Sequence, residues 1–161
     1  MQKKILTLCL IHQNGKILLG MKKRGFGVGR WNGFGGKLRQ GETIEETVIR
    51  ELKEETCLEA QEITKRGILN FEFEDDSSSL EAHIYSIDKF DGTPEETEEM
   101  NPQWFSINEI PYDNMWSDDI FWLPLFLKGK KFKGTFLFDR PSDKEYQSKI
   151  IKQELLEVDE I

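Results

Sequence analysis

Three acidic residues at helical spacing constrain this chain more than any other feature of its sequence. Glu51, Glu54 and Glu55 occupy positions i, i+3 and i+4 near the end of a segment with a helical pattern. Each residue turns an α-helix by about 100°, so the three carboxylates fall on one stripe. Ile44 lies close to the line of Glu51 and Glu55, so this stripe borders the apolar side of the helix. The carboxylates are therefore expected to face the body of the protein.

This acidic stripe has an ordinary interpretation and a functional one. Runs of glutamate usually form a solvated helix face, but like charges one turn apart destabilise a bare helix. A bound cation would remove that repulsion, and Mg²⁺ takes hard oxygen ligands that it shares with substrate phosphates. The spacing therefore favours a site that gathers magnesium ions around a diphosphate group.

The boundaries of the helix support the functional interpretation. Thr43 and Glu46 form a capping box, which predicts a helix over residues 43–57. Glycines at positions 33, 35, 36 and 41 precede or flank its start, and a glycine-rich backbone can approach a ligand closely. Loop, cap and carboxylates together indicate a binding site more strongly than any of them alone.

Length and charge narrow the class of ligand. The chain has 161 residues, enough for one domain with a single core, and its 22 basic and 30 acidic residues give a net charge of −8. An acidic chain binds nucleic acid polymers and anionic membranes poorly. We therefore expect a small phosphorylated ligand, and a monomer that contacts neither a nucleic acid polymer nor a membrane.

The sequence shows no pattern typical of export or membrane insertion. No stretch of 18 apolar residues is present, and the first five residues begin a strand pattern rather than a signal peptide. Cys9 and Cys57 lack a zinc-type spacing and are expected to remain reduced thiols. We expect a cytoplasmic protein.

The first part of the chain has the pattern of strands. Residues 4–12 alternate with apolar side chains on both faces, which is typical of a strand inside a fold. Asn14-Gly15 predicts a tight hairpin turn that returns the chain through residues 16–21. Further strands are predicted at 67–74, 80–88, 102–107 and 131–138.

The last third of the chain predicts a second helix and a tail. The helix is expected at 118–127, with Ser117 as its cap and Pro124 as a residue that kinks or shortens it. The tail from Arg140 is charged, and either a helix or partial disorder would fit its composition.

The segment from Gly36 to Leu58 resembles the Nudix box, G-x5-E-x7-R-E-U-x-E-E-x-G-U with U aliphatic. This motif is found in hydrolases of nucleoside diphosphates linked to another group. Every position matches except the last glycine, where this chain has Cys57. That glycine is expected to close the helix in a left-handed conformation, so we expect Cys57 to add strain there without affecting the chemistry.

The similarity extends to one subgroup of the family, the MutT-homologue hydrolases of oxidised purine nucleoside triphosphates of animals. It covers roughly residues 5–138, and only the final tail looks different. The segments that carry this similarity are 22–27, 30–37, 71–73, 92–94, 115–116 and 118–119.

The resemblance implies a fold and a division of the chain. Nudix proteins have an α/β (α+β) fold, an α/β/α sandwich with a mixed central β-sheet and a loop–helix–loop at the box. We expect residues 1–140 to form a single Nudix hydrolase domain. Residues 141–161 would then be the charged tail.

The resemblance also implies which residues bind metal and perform catalysis. The substrate phosphates would carry Mg²⁺, for which Mn²⁺ is a possible substitute. The expected metal ligands are Gly35 or Gly36 through a carbonyl, Glu51, Glu54, Glu55 and Glu99. The expected catalytic residues are Arg50, Glu51, Glu55 and Glu99. Arg50 would pair with Glu42 or Glu54, and either Glu55 or Glu99 would be the base; without the resemblance, Glu99 would be interpreted as a solvated loop charge.

The resemblance places the substrate against polar and aromatic side chains. The expected contact residues are Thr7, Lys22, Asn32, Phe71, Phe73, Met100, Trp116, Asp118, Asp119 and Trp122. Core packing is an equally good interpretation of Phe71, but Trp116 beside Asp118 and Asp119 is harder to explain as core. Two adjacent carboxylates in a partly buried site repel each other, so one of them should hold a proton near neutral pH.

The activity that the resemblance implies is Mg²⁺-dependent hydrolysis of oxidised purine nucleoside triphosphates such as 8-oxo-dGTP and 2-hydroxy-dATP. Water would attack the α-phosphorus and release pyrophosphate and the monophosphate, which would sanitise the nucleotide pool. The main alternative is a Nudix hydrolase of another modified purine triphosphate, a dinucleoside polyphosphate or ADP-ribose. A nucleotide sensor without catalysis is less favoured, because all the box carboxylates are present.

Overall fold

A computed structural model describes residues 2–143 and 146–161. The strands in this part of the chain are β1 (Lys3–Gln13), β2 (Lys16–Lys22), β3 (Trp31–Asn32), β4 (Glu59–Phe73), β5 (Asp76–Asp91), β6 (Met100–Ser106), β7 (Lys131–Phe138) and β8 (Ile150–Val158). The helices are α1 (Ile44–Thr56) and α2 (Asp119–Leu127), with a short 3-10 helix at Tyr112–Asn114. Within the described residues, no helix has the length and apolar character that a membrane crossing needs.

The strands form one mixed sheet. Its order is β3-β2-β1-β5-β4-β7-β8, and β6 also pairs with β2. β1 runs parallel to β5 and β4 runs parallel to β7, whereas the other neighbours are antiparallel. The mixed central sheet predicted above is therefore confirmed.

β1 carries core residues on both faces, as its alternating pattern predicted. Cys9 is buried in an apolar cluster with Val48 of α1. Leu10 is buried on the opposite face, in a cluster that includes Trp122 and Phe126 of α2. The two helices therefore cover opposite faces of the sheet, which confirms the α/β/α sandwich.

The turn between β1 and β2 is the tight hairpin that the sequence predicted. Asn14 and Gly15 have φ angles of 53° and 71°, the combination of two positive values that a type I′ turn requires. Gln13 and Lys16 pair directly across this turn. Local turn chemistry therefore determines how β2 returns beside β1.

β4 and β5 form a longer hairpin than the sequence pattern predicted. The pairing extends from Glu59 opposite Asp91 to Phe73 opposite Asp76, with several irregularities of register. Residues 59–66 were missed because they are mostly polar and partly exposed, so they lack the apolar alternation of a core strand. The predicted part of β4 pairs with β7 on its other side, and Leu69, Phe71 and Phe73 from it line the cavity described below.

The two ends of α1 follow the predicted design. The side chain of Thr43 accepts a hydrogen bond from the backbone of Glu46, and the Glu46 side chain accepts one from the backbone of Thr43. At the other end Cys57 adopts a left-handed conformation with φ 69° and donates its N–H to the Lys53 carbonyl. Cys57 therefore closes the helix as a glycine would, with a Cβ that glycine lacks.

The start of α2 differs from the prediction. The helix begins at Asp119, and Asp118 stands at its N-cap without a side-chain capping bond. Ser117 does not cap the helix, because its hydroxyl donates instead to the Ser148 carbonyl at 3.3 Å. Pro124 lies inside the helix without ending it. The N-cap and the first residue of α2 are therefore two buried acids, and Ser117 is not the cap.

The tail forms a strand where the sequence analysis expected a helix or disorder. β8 pairs with β7 from Lys131 opposite Val158 to Phe138 opposite Ile150. Without β8, this edge of β7 would leave its backbone donors and acceptors unpaired. Leu155 also packs against the core cluster on the α2 face. Backbone pairing and apolar contact therefore outweigh the charged composition of this segment.

Replacing Cys57 by glycine is expected to stabilise the protein. A left-handed conformation costs a residue with a Cβ about 1 kcal/mol, and glycine adopts it without that cost. We expect Cys57→Gly to raise the free energy of unfolding in urea by about 0.5–1 kcal/mol. Cys57→Ala keeps the Cβ and is the matched control. An equal gain in both variants would show that loss of the thiol, and not relief of backbone strain, is responsible.

Candidate active site

A cavity of about 440 Å³ lies on the α2 face of the sheet. Its floor is apolar and includes Leu69, Ala82 and Ile84. All ten residues expected to contact a substrate line this cavity: Thr7, Lys22, Asn32, Phe71, Phe73, Met100, Trp116, Asp118, Asp119 and Trp122. The fold thus gathers residues that are up to 115 positions apart in the sequence (122 − 7). Their contacts with a substrate stay predictions.

Trp116 and Asn32 form one hydrogen-bonded unit at the cavity wall. The indole Nε1 of Trp116 donates to Asn32 Oδ1 at 2.7 Å. Asn32 Nδ2 in turn donates to the Arg30 carbonyl at 2.7 Å. Phe26 stacks on the Trp116 ring with a centroid separation of 4.9 Å and an interplanar angle of 24°. This wall therefore combines aromatic side chains with an oriented amide.

Asp118 and Asp119 are both buried at the start of α2, with 5% and 6% of their surface exposed. Burial raises the pKa of both carboxyl groups. Trp122 Nε1 donates to Asp118 Oδ2 at 2.8 Å, which favours the ionised form of Asp118. After burial, the charge of Asp118 further raises the pKa of Asp119. Asp119 is therefore the carboxyl of the pair that binds a proton more readily, beside a neighbour that accepts a hydrogen bond from Trp122.

Glu55 lies at the opposite end of the cavity and is only 1% exposed. Its Oε1 accepts a hydrogen bond from the Gly35 N–H at 2.8 Å, and its Oε2 lies 3.7 Å from Lys22 Nζ. Burial raises the pKa of Glu55 to about 8, although the Gly35 bond and Lys22 oppose this shift. The charges of Glu51 and Glu99 raise it further. Three acidic groups are thus close enough to interact electrostatically.

Gly35 and Gly36 allow the backbone to approach these acids and strand β1. A Cβ on Gly36 would lie 2.5 Å from Glu51 Oε1, and a Cβ on Gly35 would lie 1.8 Å from the Thr7 carbonyl oxygen. Neither separation is possible for a real side chain. Position 35 therefore requires glycine, because the clash there is with backbone, whereas a Cβ at position 36 would displace the Glu51 carboxylate.

Arg50 holds the box carboxylates in a network of ion pairs. Its guanidinium contacts Glu42 at 2.6 Å, Glu51 at 2.8 Å and Glu54 at 3.3 Å. The hydrogen bond from Arg50 lowers the pKa of Glu42 to about 2. The predicted pairing with Glu42 or Glu54 is confirmed for both, and Glu51 is an additional partner.

Glu54 does not line the cavity and is more exposed than the inward stripe predicted. Its side chain is 40% exposed and pairs with Arg50 and with Arg39. Adjacent residues of a helix differ in direction by about 100°. Glu54 therefore reaches Arg39 and Arg50, which Glu55 does not contact. Glu99 is also outside the cavity lining, and its carboxylate lies 3.5 Å from Arg24 Nη2.

The donor chemistry at this end suits a hard divalent cation. Carboxylate oxygens of Glu51 and Glu55 lie next to the backbone of Gly36 and Gly35, and their mutual repulsion would be relieved by a cation. In residues 2–143 and 146–161, however, no three acidic, histidine or cysteine side chains are already arranged to hold a metal ion. Arginine and lysine partners occupy these carboxylates, so binding a cation requires some of the ion pairs to open.

Several cavity residues were not foreseen as site residues. Phe26 belongs to one of the segments that resemble the family, and its place between two glycines is the sequence signal for an exposed aromatic residue; 67% of its surface is exposed. Ser142 and Ser148 also line the cavity, and their hydroxyl oxygens lie 2.8 Å apart. The tail was expected to lie outside the domain, so nothing in the local sequence indicated these two serines.

Comparison with known proteins shows the family. The Nudix domain profile matches residues 2–126, and the chain therefore belongs to the Nudix family of hydrolases. Members of this family generally use a divalent metal ion.

Two curated relatives are similar to this chain over most of their length. The oxidized purine nucleoside triphosphate hydrolase of Danio rerio is 52% identical over 135 residues, which cover 84% of this chain and 86% of that protein. The protein of the same name from Mus musculus is 48% identical over 156 residues, which cover 97% and 96%. The crystal structure of the mMutator MutT protein from Bacillus halodurans shares the fold, with a TM-score of 0.80, 24% identity and coverage of 94% of this chain and 97% of that one.

Glu55 is expected to make the stability of the metal-free protein depend on pH. An unfolded glutamate titrates near pH 4.5, whereas the pKa of Glu55 in the folded protein is about 8. Between these values the folded state holds a proton that the unfolded state lacks, so stability falls as pH rises and levels off above pH 8. We expect this fall to be about 1–3 kcal/mol between pH 5 and pH 8, measured by urea unfolding in EDTA.

The matched comparison uses Glu55→Gln and Glu54→Gln. The Glu55→Gln variant keeps the shape of the side chain without its titration and should lose most of this pH dependence. Glu54→Gln should retain it, because Glu54 is half-exposed and paired with arginines. Identical pH profiles for wild type and Glu55→Gln would contradict the assignment.

Proposed function

We propose that this protein hydrolyses oxidised purine nucleoside triphosphates, such as 8-oxo-dGTP and 2-hydroxy-dATP, to the monophosphate and pyrophosphate. Such an activity would remove damaged nucleotides from the pool. The observation that carries the proposal is the buried pair Asp118 and Asp119 in the wall of an aromatic cavity whose other end holds Glu55. The names of the two relatives that are about half identical to this chain support it.

The acidic pair suits the edge of an oxidised purine. A protonated Asp119 can donate a hydrogen bond, while an ionised Asp118 only accepts. Oxidation changes which ring atoms of a purine donate and which accept, so a donor beside an acceptor can discriminate such bases. Asn32 adds an amide with both functions. Because the pair is buried, an unmatched base would leave a polar group unsatisfied, which is costly.

The proposed chemistry is attack of water on phosphorus at the end of the cavity near Glu55. When bound, a divalent cation neutralises negative charge on the transferred group. Glu55 is the proposed general base, because its carboxylate lines the cavity beside the glycine loop and Lys22, where the phosphates would lie. Lys22 lies beside it and can reach a phosphate, while Arg50 holds Glu51 in place. Glu99 is the alternative base.

We propose Mg²⁺ as the cation, with Mn²⁺ as a possible substitute, held by Glu51, Glu54, Glu55, Glu99 and a carbonyl of Gly35 or Gly36. The hard oxygen donors support this assignment. We further propose that the protein is a cytoplasmic monomer, for which the acidic charge and the lack of a zinc or disulfide pattern in the sequence are the support.

A panel of nucleotides tests the proposed function. We expect kcat/KM for 8-oxo-dGTP or 2-hydroxy-dATP with Mg²⁺ to exceed that for dGTP by at least about tenfold, a difference of about 1.4 kcal/mol in transition-state binding. Pyrophosphate release and monophosphate formation are measured together. Glu55→Gln should lower turnover by about 100-fold or more while the protein stays folded. Faster hydrolysis of dGTP or of ADP-ribose would favour the alternative Nudix substrates.

The acidic pair is tested by neutral, isosteric substitutions. Asp118→Asn and Asp119→Asn should each lower kcat/KM for the oxidised purine substrate by about tenfold or more, because each removes one partner of a buried hydrogen-bonded contact. Glu96→Gln also removes one acidic charge, but Glu96 is exposed and pairs with Lys23. Its effect should be within about twofold. Equal and small effects in all three variants would exclude the pair from the base site.

A further inference from the structure

Arg30 lies behind the residues that would recognise the base. Its guanidinium carbon is 4.2 Å from the centroid of the Trp116 ring. Its backbone carbonyl accepts the hydrogen bond from Asn32 Nδ2 at 2.7 Å. Its Nη2 donates to the Asp143 carbonyl at 3.4 Å. Arg30 itself is not part of the cavity lining, so any role in recognition must act through these neighbours.

The contacts of Arg30 and Trp116 determine which way the Asn32 amide points. Nδ2 of Asn32 faces the Arg30 carbonyl, and Oδ1 faces the Trp116 Nε1–H. Exchanging the two ends of the amide would place a donor against a donor and an acceptor against an acceptor. One Nδ2 hydrogen and one Oδ1 lone pair then remain for a ligand. The pattern that Asn32 presents is therefore determined by these two neighbours.

The Trp116 ring is itself held by its surroundings. Arg30 lies over the ring, Phe26 stacks on it, and a Cβ on Gly27 would come within 3.2 Å of it. A guanidinium over an indole is attracted by the π-electrons and matches the ring in shape. Arg30 therefore restrains the ring whose Nε1 orients Asn32, and its own carbonyl restrains the other end of that amide.

We propose that Arg30 is a positioning residue for base recognition, which restrains the Trp116 indole and thereby the Asn32 amide without touching the substrate. This inference rests on the proposed function of the cavity as a purine site. It predicts that loss of the guanidinium weakens binding of the base and leaves the chemistry at Glu55 largely unchanged.

A simpler explanation of any effect of Arg30 is its charge. In a protein of net charge −8, every cation near the cavity helps to attract an anionic nucleotide. Lys23 offers a matched control, because it lies in the same connection between β2 and β3 and carries the same charge. Its Nζ pairs with Glu96 at 2.6 Å and donates to the Thr97 carbonyl at 2.8 Å, whereas the cation over the Trp116 ring is Arg30. Lys23→Met and Arg30→Met therefore remove equal charge, but only the latter removes the stacking.

The experiment measures KM and kcat with the preferred purine triphosphate, and the Kd of the monophosphate product by calorimetry. Arg30→Met should raise KM and Kd about 3- to 20-fold, the range expected for a partly buried cation–π contact. The kcat value should stay within about twofold, because Glu55 and Lys22 are untouched. Arg30→Lys retains a cation without the planar stack and should be intermediate. Lys23→Met should stay within about twofold in every constant.

The outcomes separate this proposal from its alternatives. Equal increases of KM in Arg30→Met and Lys23→Met would overturn it in favour of general electrostatics. A lower Tm with a loss of kcat and no change in Kd would overturn it in favour of a purely structural role. If Arg30→Met does not fold, Arg30→Lys decides: a higher Kd with unchanged kcat supports the proposal, and wild-type constants overturn it.

Failure of the proposed function would be visible in the wild type alone. A wild type without preference for oxidised purines would overturn the proposed substrate, whereas the role of Arg30 would then be measured with whichever purine nucleotide the wild type hydrolyses. A wild type that binds no purine nucleotide would overturn both.

Discussion

The structure depends on one close approach, in which a glycine-rich loop is held between strand β1 and the last turns of α1. The Thr7 N–H donates to the Gly36 carbonyl at 2.9 Å, and the Gly35 N–H donates to Glu55 at 2.8 Å. A Cβ on Gly35 would overlap the Thr7 carbonyl. This approach removes Glu55 from water and raises its pKa to about 8. The acidic end of the cavity exists because these glycines let the backbone come so near.

The two ends of the cavity have different origins. The acidic end is built by α1 and the glycine loop, which are close together in the sequence. The aromatic end is built by residues from β3, β4 and the start of α2, which only the sheet brings together. Asp118 and Asp119 are buried there because α2 packs its first turn against the core rather than into solvent. Under the proposed function, base preference can therefore change at one end without disturbing the proposed phosphate chemistry at the other.

Features that depend on neighbouring residues were predicted well, and features that depend on distant partners were not. The capping box of α1 and the Asn14-Gly15 turn were correct because each involves hydrogen bonds or dihedral angles within a few residues. The prediction of a helix or disorder for the tail was wrong. Pairing with the edge of β7 stabilises β8, and the sequence of the tail does not indicate that partner. The prediction that Ser117 caps α2 was wrong for the same reason, because its hydrogen-bond partner Ser148 lies 31 residues away.

The sequence by itself determined the order and spacing of the box carboxylates, the helix that carries them and the residues that were expected around a base. It did so because helical rotation and capping follow from local geometry. Tertiary structure decided what each carboxylate does. Glu54 and Glu55 are adjacent, yet one is half-exposed among arginines and the other is buried beneath a glycine loop. Burial and ion pairing are set by the whole packed chain, and that is why only the folded protein distinguishes these two acids.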